Sequence, residues 1–430
     1  MKLVSMVALG AALAFGGVAV LDANPAAAAK KEKAPSFNIS KDVRASVSAA
    51  QQAVQKKDWA EAQTKIDEAL AAASTPDDKY VAYSVLYDIA TGTSDQAKQS
   101  QAIEGMLASG RVEAAKQPQF YLVAGNLAYQ TKDYKRAEAL LDQSIKLGGA
   151  PVEAYALAAE SKENNGNSAG AVNVLIQAAA AEKAAGKKLP SDYYGRGIAI
   201  GYKAKLAPQI LELTQAWLRD YPTADNWRDS LTIYRDVNHV DADQELDIYR
   251  LMRTIGALKG ESDYYTYAQQ LYLKYPGEAK AVIDEGVAKG YMTLTASGNT
   301  KMMLDTATKR IPADKADLAG ASAAAAKSAT GKSAFVTADS YLGYGEWQKA
   351  ADLYRIALQK GGVDTNVVNT HLGMVLARAG DTAGAREAFA QITGPRAGLA
   401  KYWQVWLDHP SLGAAAAPAA AAAPAPAPAS

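Results

Sequence analysis

Several short stretches carry residue types that do chemistry in other proteins. Gly166-Asn167-Ser168-Ala169-Gly170 fits G-x-S-x-G, the turn that presents a serine nucleophile between a strand and a helix, with a histidine and an acid close by. Here a helical pattern precedes the motif, and small polar residues form turns without any catalytic role. A turn between two helices is the expectation. Ala329-Thr330-Gly331-Lys332-Ser333 matches the end of a phosphate-binding loop, but Ala326 stands where the first glycine belongs and an alanine-rich helical pattern, not a strand, leads in. Gly195-Arg196-Gly197 with Gly201 misses the dinucleotide fingerprint by one residue. Asp241, Asp243 and Glu245 begin like a calcium loop, without the glycine and glutamate that must follow; carboxylates also suit the start of a helix. His239, His371 and His409 fall in separate elements without ligand-like spacing, and each reads as a solvated or packed side chain. No S-x-x-K occurs. The sequence predicts no catalytic residue, no cofactor and no metal site.

Composition narrows the function classes further. Forty-six basic residues stand against forty-five acidic ones over 430 residues, a formal charge of +1. That balance argues against a polybasic nucleic-acid binder. With 49% hydrophobic and 21% charged residues the chain should bury a core. The absence of cysteine excludes disulfides, thiolate catalysis, cysteine-based zinc sites and a cysteine-linked lipid anchor. Lys2, the apolar stretch Leu3 to Leu21 and the small residues Ala26 to Ala29 read as a signal peptide over residues 1–29, cleaved before Lys30. The rival reading is an uncleaved anchor, since the stretch approaches bilayer-spanning length. Cleavage predicts a periplasmic protein with no membrane span. Residues 30–42 read as a linker. The Ala/Pro tail, residues 410–430, has nothing bulky to bury and reads as an extended spacer.

Self-similarity is the strongest signal. Apolar residues recur at three- and four-residue spacing, with no sustained alternation. KKDWAEAQTKIDEAL from Lys56, TKDYKRAEALLDQSI from Thr131 and GYGEWQKAADLYRIAL from Gly343 share a polar turn, an aromatic residue and an alanine three positions on, followed four later by an apolar residue. RAGDTAGAREAFAQI from Arg378 fits with Ala385 and Phe389. Aligning the alanines places unit starts at Val43, Pro118, Gly331 and Asn366, with weaker ones at Asp77, Val152, Ser191, Ala224, Ser262 and Ser297. Successive starts are 34, 41, 34, 39, 33, 38, 35, 34 and 35 residues apart. Six of nine lie within one residue of 34, a regularity that chance rarely produces.

This period and residue pattern resembles the tetratricopeptide repeat, a pair of antiparallel helices per 34 residues. Small residues where the two helices meet (Ala62, Gly125, Ala137, Ala350) and bulky ones between them (Tyr121, Leu141, Tyr354, Phe389) are what such packing requires. The resemblance implies an all-α superhelix of about ten antiparallel helix pairs over residues 43–396, with contacts between neighbouring pairs. It implies a capping helix over residues 397–409, in which Tyr402, Trp403 and Trp406 cover the last repeat. It loosens between Ser191 and Thr330, where Ile210 and Asp243 stand in alanine positions.

In this family the first helix of each pair lines a concave groove, which carries over to Asn126, Tyr129, Glu153, Glu160, Tyr202, Arg228, Arg235, Asp339 and Arg378. The partner-binding set the resemblance implies is Asn126, Tyr129, Tyr202, Arg228 and Arg235. The family's lysine–asparagine clamp for a peptide carboxylate is not supported, because Leu122 stands where the lysine belongs beside Asn126. Fourteen aromatics, twelve of them tyrosine, lie between Tyr193 and Tyr291. Tyrosine suits a wet recognition surface, although the same residues could fill large positions between helices. The resemblance thus implies a non-catalytic scaffold for a protein or peptide partner of the cell envelope, with a polysaccharide as the alternative ligand.

Overall fold

The computed structural model describes residues 37–409; the expected signal peptide, most of the linker and the Ala/Pro tail lie outside them. Every regular element among these residues is helical, and the architecture is all-α, built of tetratricopeptide-type helix pairs. The pairs are α1 (Lys41–Lys56) with α2 (Trp59–Ala72), α3 (Pro76–Gly92) with α4 (Gln96–Ala108), α5 (Gln117–Gln130) with α6 (Tyr134–Lys146), and α7 (Val152–Asn164) with α8 (Ser168–Ala184). There follow α9 (Ser191–Lys203) with α10 (Ala207–Asp220), α11 (Ala224–Asn238) with α12 (Ala242–Ile255), and α13 (Gly260–Leu271) with α14 (Pro276–Ala288). A single helix α15 (Asn299–Lys327) precedes α16 (Lys332–Gly343) with α17 (Trp347–Lys360), α18 (Thr365–Ala379) with α19 (Thr382–Ala390), and the closing helix α20 (Ala397–Asp408).

In five of the nine pairs the turn between the helices has one recurring cause. A left-handed residue ends the first helix, and an Asp or Asn then caps the second. Lys57 and Asp58, Ser94 and Asp95, Lys132 and Asp133, Gly166 and Asn167, and Gly380 and Asp381 all follow this rule, each cap accepting a backbone N–H three residues on. The left-handed residue stops the helix, and the Asx cap satisfies a donor that the next helix leaves free. Across the pair, a Cβ on Gly125 would lie 2.6 Å from Leu141 Cγ, so the glycine is what lets α6 approach α5.

The segment starting near Ser297 departs from the pairing. No left-handed residue or Asx cap interrupts it; alanine-rich sequence carries one helix of 29 residues through Pro312. Nine pairs and one unbroken helix result, where ten pairs were expected.

The chain divides into two compact units at Lys187 and Lys188. In the first, pairs α1/α2 to α7/α8 stack in order, α1 touching α3 and α5 touching α7. In the second, the missing turn has a structural consequence. One skipped helix swaps which member of each pair faces inward. Thus α14 packs on α16, α16 on α18, and both α18 and α12 on α20, while α13, α15 and α17 form the other row. Contacts here are not confined to neighbours. Helix α20 reaches back to α10, with Tyr402 sharing a 2.7 Å hydrogen bond with Thr214, 188 positions earlier. The Tyr402 ring meets Trp227 and Tyr234 of α11, and a Cβ on Gly398 would lie 2.6 Å from the Tyr234 ring. Trp403 stacks on Phe389 and so does cover the last repeat. The same helix also closes the second unit on itself.

Candidate functional site

The interior of the second unit holds a buried ionic network. Asp247 and Arg250 lie one turn apart on α12, Glu278 on α14, Asp339 on α16, His371 on α18, and Arg396 just before α20. Arg250 grips Glu278 through two bonds of 3.1 and 2.9 Å and reaches Asp247 at 3.1 Å. Arg396 donates to the other oxygen of Asp247. His371 lies between two carboxylates, its Nε2 3.2 Å from Asp247 and its Nδ1 2.8 Å from Asp339. Tyr354 and Tyr275 donate to Asp339 at 2.7 and 2.9 Å, and Tyr267 donates to Glu278 at 2.6 Å. With His371 doubly protonated, three carboxylates face three cations, the condition under which buried charge is tolerable.

Burial opposes a charged imidazole, but Asp247 and Asp339 outweigh it and hold His371 up to about 9. Burial also raises the carboxyls, and here His371 and Arg250 outweigh it, so Asp247, Asp339 and Glu278 are held below the usual range. A raised histidine contributes stability below its unfolded value of about 6.5 and loses it as pH climbs through 9. Lowered carboxylates contribute above about 4 and lose it in acid. The second unit should therefore weaken by roughly 3 kcal/mol between pH 6.5 and 9. Denaturant unfolding followed by tryptophan fluorescence checks this, since only Trp59 of the six tryptophans lies outside the unit. A flat profile that His371→Gln leaves unchanged would contradict it.

A cavity of about 220 Å³ opens beside this network. Arg250, Arg253 and Thr254 of α12, Glu278 of α14, Met374 and Arg378 of α18, Trp347 and Trp403 border it. Arg253 pairs with Glu285 at 2.8 Å. Arg378 donates to Thr254 at 3.0 Å and lies 4.9 Å over the Trp347 ring.

The first unit carries a groove of about 530 Å³ between α4 and α5. It is lined by the polar residues Gln96, Ser100, Gln101, Thr131 and Arg136 and by Tyr83, Ala97, Gly105, Leu127 and Ala128. Arg136 of α6 crosses to Ser100 and Glu104 of α4.

The residues expected in a groove scatter. Asn126 and Tyr129 are half-buried on α5 and do not border the 530 Å³ groove; Tyr129 donates to Glu160 of α7 at 2.8 Å. Tyr202 is 49% exposed. Arg228 makes a two-bond pair with Asp263 across α11 and α13, at 3.1 and 3.3 Å. Arg235 bonds Glu245 and Tyr249 of α12. Tyr202, Arg228 and Arg235 sit on first helices before α15, where the second helices form the interior. After α15 the first helices face the interior of the unit: Asp339 enters the ionic network and Arg378 borders the cavity.

The tyrosine excess needs a corrected reading. Seven of the fourteen aromatics from Tyr193 to Tyr291 are buried, namely Tyr194, Trp227, Tyr234, Tyr249, Tyr264, Tyr267 and Tyr275. Each of these tyrosine hydroxyls has a partner, such as Asp220 for Tyr194 and Glu285 for Tyr264. They are core residues whose hydroxyls are all hydrogen-bonded, those of Tyr267 and Tyr275 to the buried carboxylates of Glu278 and Asp339.

The chemical motifs resolve into structure. Asn167 caps α8 by accepting from Gly170, so G-x-S-x-G is an interhelical turn. Gly331 lies in the loop before α16, its N–H donating to Gly361 at 2.8 Å. Asp241 caps α12 through the Gln244 N–H. Among the described residues no three metal-ligating side chains converge, and no helix is long and apolar enough to cross a membrane.

No family model matches the sequence, and no curated protein matches it. Solved structures with some likeness include a tetratricopeptide repeat protein from Parabacteroides merdae, 9% identical with a TM-score of 0.29, over 69% of this chain and 99% of that one. A structure of Naa15/Naa10 bound to HypK-THB is 14% identical with a TM-score of 0.32, over 87% of this chain and 62% of that one. Pseudomonas aeruginosa PilF is 15% identical with a TM-score of 0.23, over 58% of this chain and 98% of that one. Likenesses this weak add nothing to the fold, which rests on the chain's own helix pairs.

Proposed function

We propose that this chain is a non-catalytic scaffold of the cell envelope, exported to the periplasm, that holds a protein or peptide partner along its first unit. The groove between α4 and α5 carries this reading. Its lining combines apolar residues with amide and hydroxyl side chains, which suits a peptide backbone that needs hydrogen bonds and small side chains that need burial. Export is supported by the basic, apolar and small-residue run before Lys30. For the polysaccharide alternative, seven of the fourteen aromatics in the tyrosine-rich stretch are core residues, which leaves the other seven to stack on sugars.

Ala97→Arg with Gln101→Arg tests the reading, since both positions are exposed on α4 and their new side chains would fill the groove. Recovered from the periplasmic fraction, the wild-type chain should begin near Lys30 and bring a partner with it. The double variant should lose most of that partner while keeping its helical signal and unfolding midpoint. Undiminished recovery by the folded variant would remove the groove from the function.

A further inference from the structure

The cavity of the second unit has a charge imbalance that the rest of the interior lacks. Of the three guanidinium groups on its border, Arg250 is matched by Glu278 and Arg253 by Glu285. Arg378 has a hydroxyl and an aromatic face for partners, and among the described residues no carboxylate stands within ion-pair distance of it. It is half-buried, and burial together with the nearby charge of Arg253 makes its protonated form costlier than usual. The indole N–H of Trp403, which borders the cavity, is buried without a hydrogen-bond partner. The remaining border is apolar or aromatic, from Met374, Trp347 and Tyr344.

We propose that this cavity binds a small organic acid bearing one carboxylate on an apolar or aromatic body, with Arg378 as the anion's partner and Trp347 and Met374 against its hydrophobic part. One unmatched cation calls for one negative charge; a dianion such as a phosphate monoester would bring a second charge with no partner beside it. Guanidinium already stacked on an indole is held in place for planar, two-bond recognition of carboxylate. The small volume favours a free molecule over a chain terminus. This site is independent of the groove in the first unit.

The test uses 3-phenylpropionate, its neutral amide, and a short peptide ending in a free phenylalanine carboxylate, titrated against the full chain by calorimetry and by tryptophan fluorescence. The acid should bind in the micromolar to millimolar range and the amide at least about tenfold more weakly. Arg378→Gln should abolish the preference for acid over amide. Trp347→Leu should weaken both ligands while keeping that preference, which guards against a variant that merely misfolds. Binding by the peptide and not the free acid would overturn the small-molecule assignment. Equal affinity for acid and amide, an undiminished preference in Arg378→Gln, or no binding of the acid would overturn the site itself. Partner recovery through the first unit should be unaffected by Arg378→Gln, so the two proposals fail separately.

Discussion

Asp247→Ala should destabilise the second unit by about 3–5 kcal/mol, the cost of leaving buried charges without their partner. Asp247 is fully buried and accepts from Arg250, Arg396 and His371. Removing it strands Arg396, which pairs with Asp247, and takes away one of the two anions that keep His371 protonated. The histidine should then titrate lower, so the loss of stability toward alkaline pH should shrink in the same variant. Asp247→Leu combined with Arg396→Met should recover part of the loss, since a buried pair replaced whole by apolar groups is often neutral. Urea unfolding read by tryptophan fluorescence measures both variants. A cost below about 1 kcal/mol for Asp247→Ala would mean that the carboxylate is solvated, as a surface pair would be.

Tyr402→Ala should cost a similar amount, about 3–5 kcal/mol, through the cavity it leaves. The side chain is fully buried among Trp227, Tyr234 and Thr214. Tyr402→Phe should cost only about 1 kcal/mol, the usual net worth of one hydrogen bond, because the Thr214 hydroxyl keeps its 2.8 Å bond to the Ile210 carbonyl. The contrast separates packing from hydrogen bonding at the point where α20 meets α10 and α11.

Much of this architecture was legible in the residues. Repeat starts inferred from Val43 to Asn366 fall within two residues of the first helix of every pair, because the same small–large pairing and Asx-capped turn recur. What the pattern could not show was the effect of an omission. Nothing in the alanine-rich run after Pro312 supplies a turn, and one uninterrupted helix reverses the inward side of the pairs before it. A rule based on repeat position alone therefore does not distinguish Asp339 and Arg378, which lie on inward helices, from Tyr202, Arg228 and Arg235, which lie on helices of the other row. Asp247 and Arg250 were missed for another reason. On a helix that reads ADQELDIYRLMRTI they look like an ordinary solvated face. A usable signal lay in α18, where His371 sits in the apolar run VVNTHLGMVLA; a titratable group there needs a buried counter-charge. Contacts across 188 residues leave no local trace at all.

Hydrogen exchange on the Tyr402→Ala variant tests the closure of the second unit most directly. If α20 seals the unit against α10 and α11, amides in residues 207–220 and 224–238 should exchange faster in the variant, although they lie more than 160 residues from the substitution. In an open stack, faster exchange would stay within α20 and its neighbour α19, and that result would contradict the closed second unit.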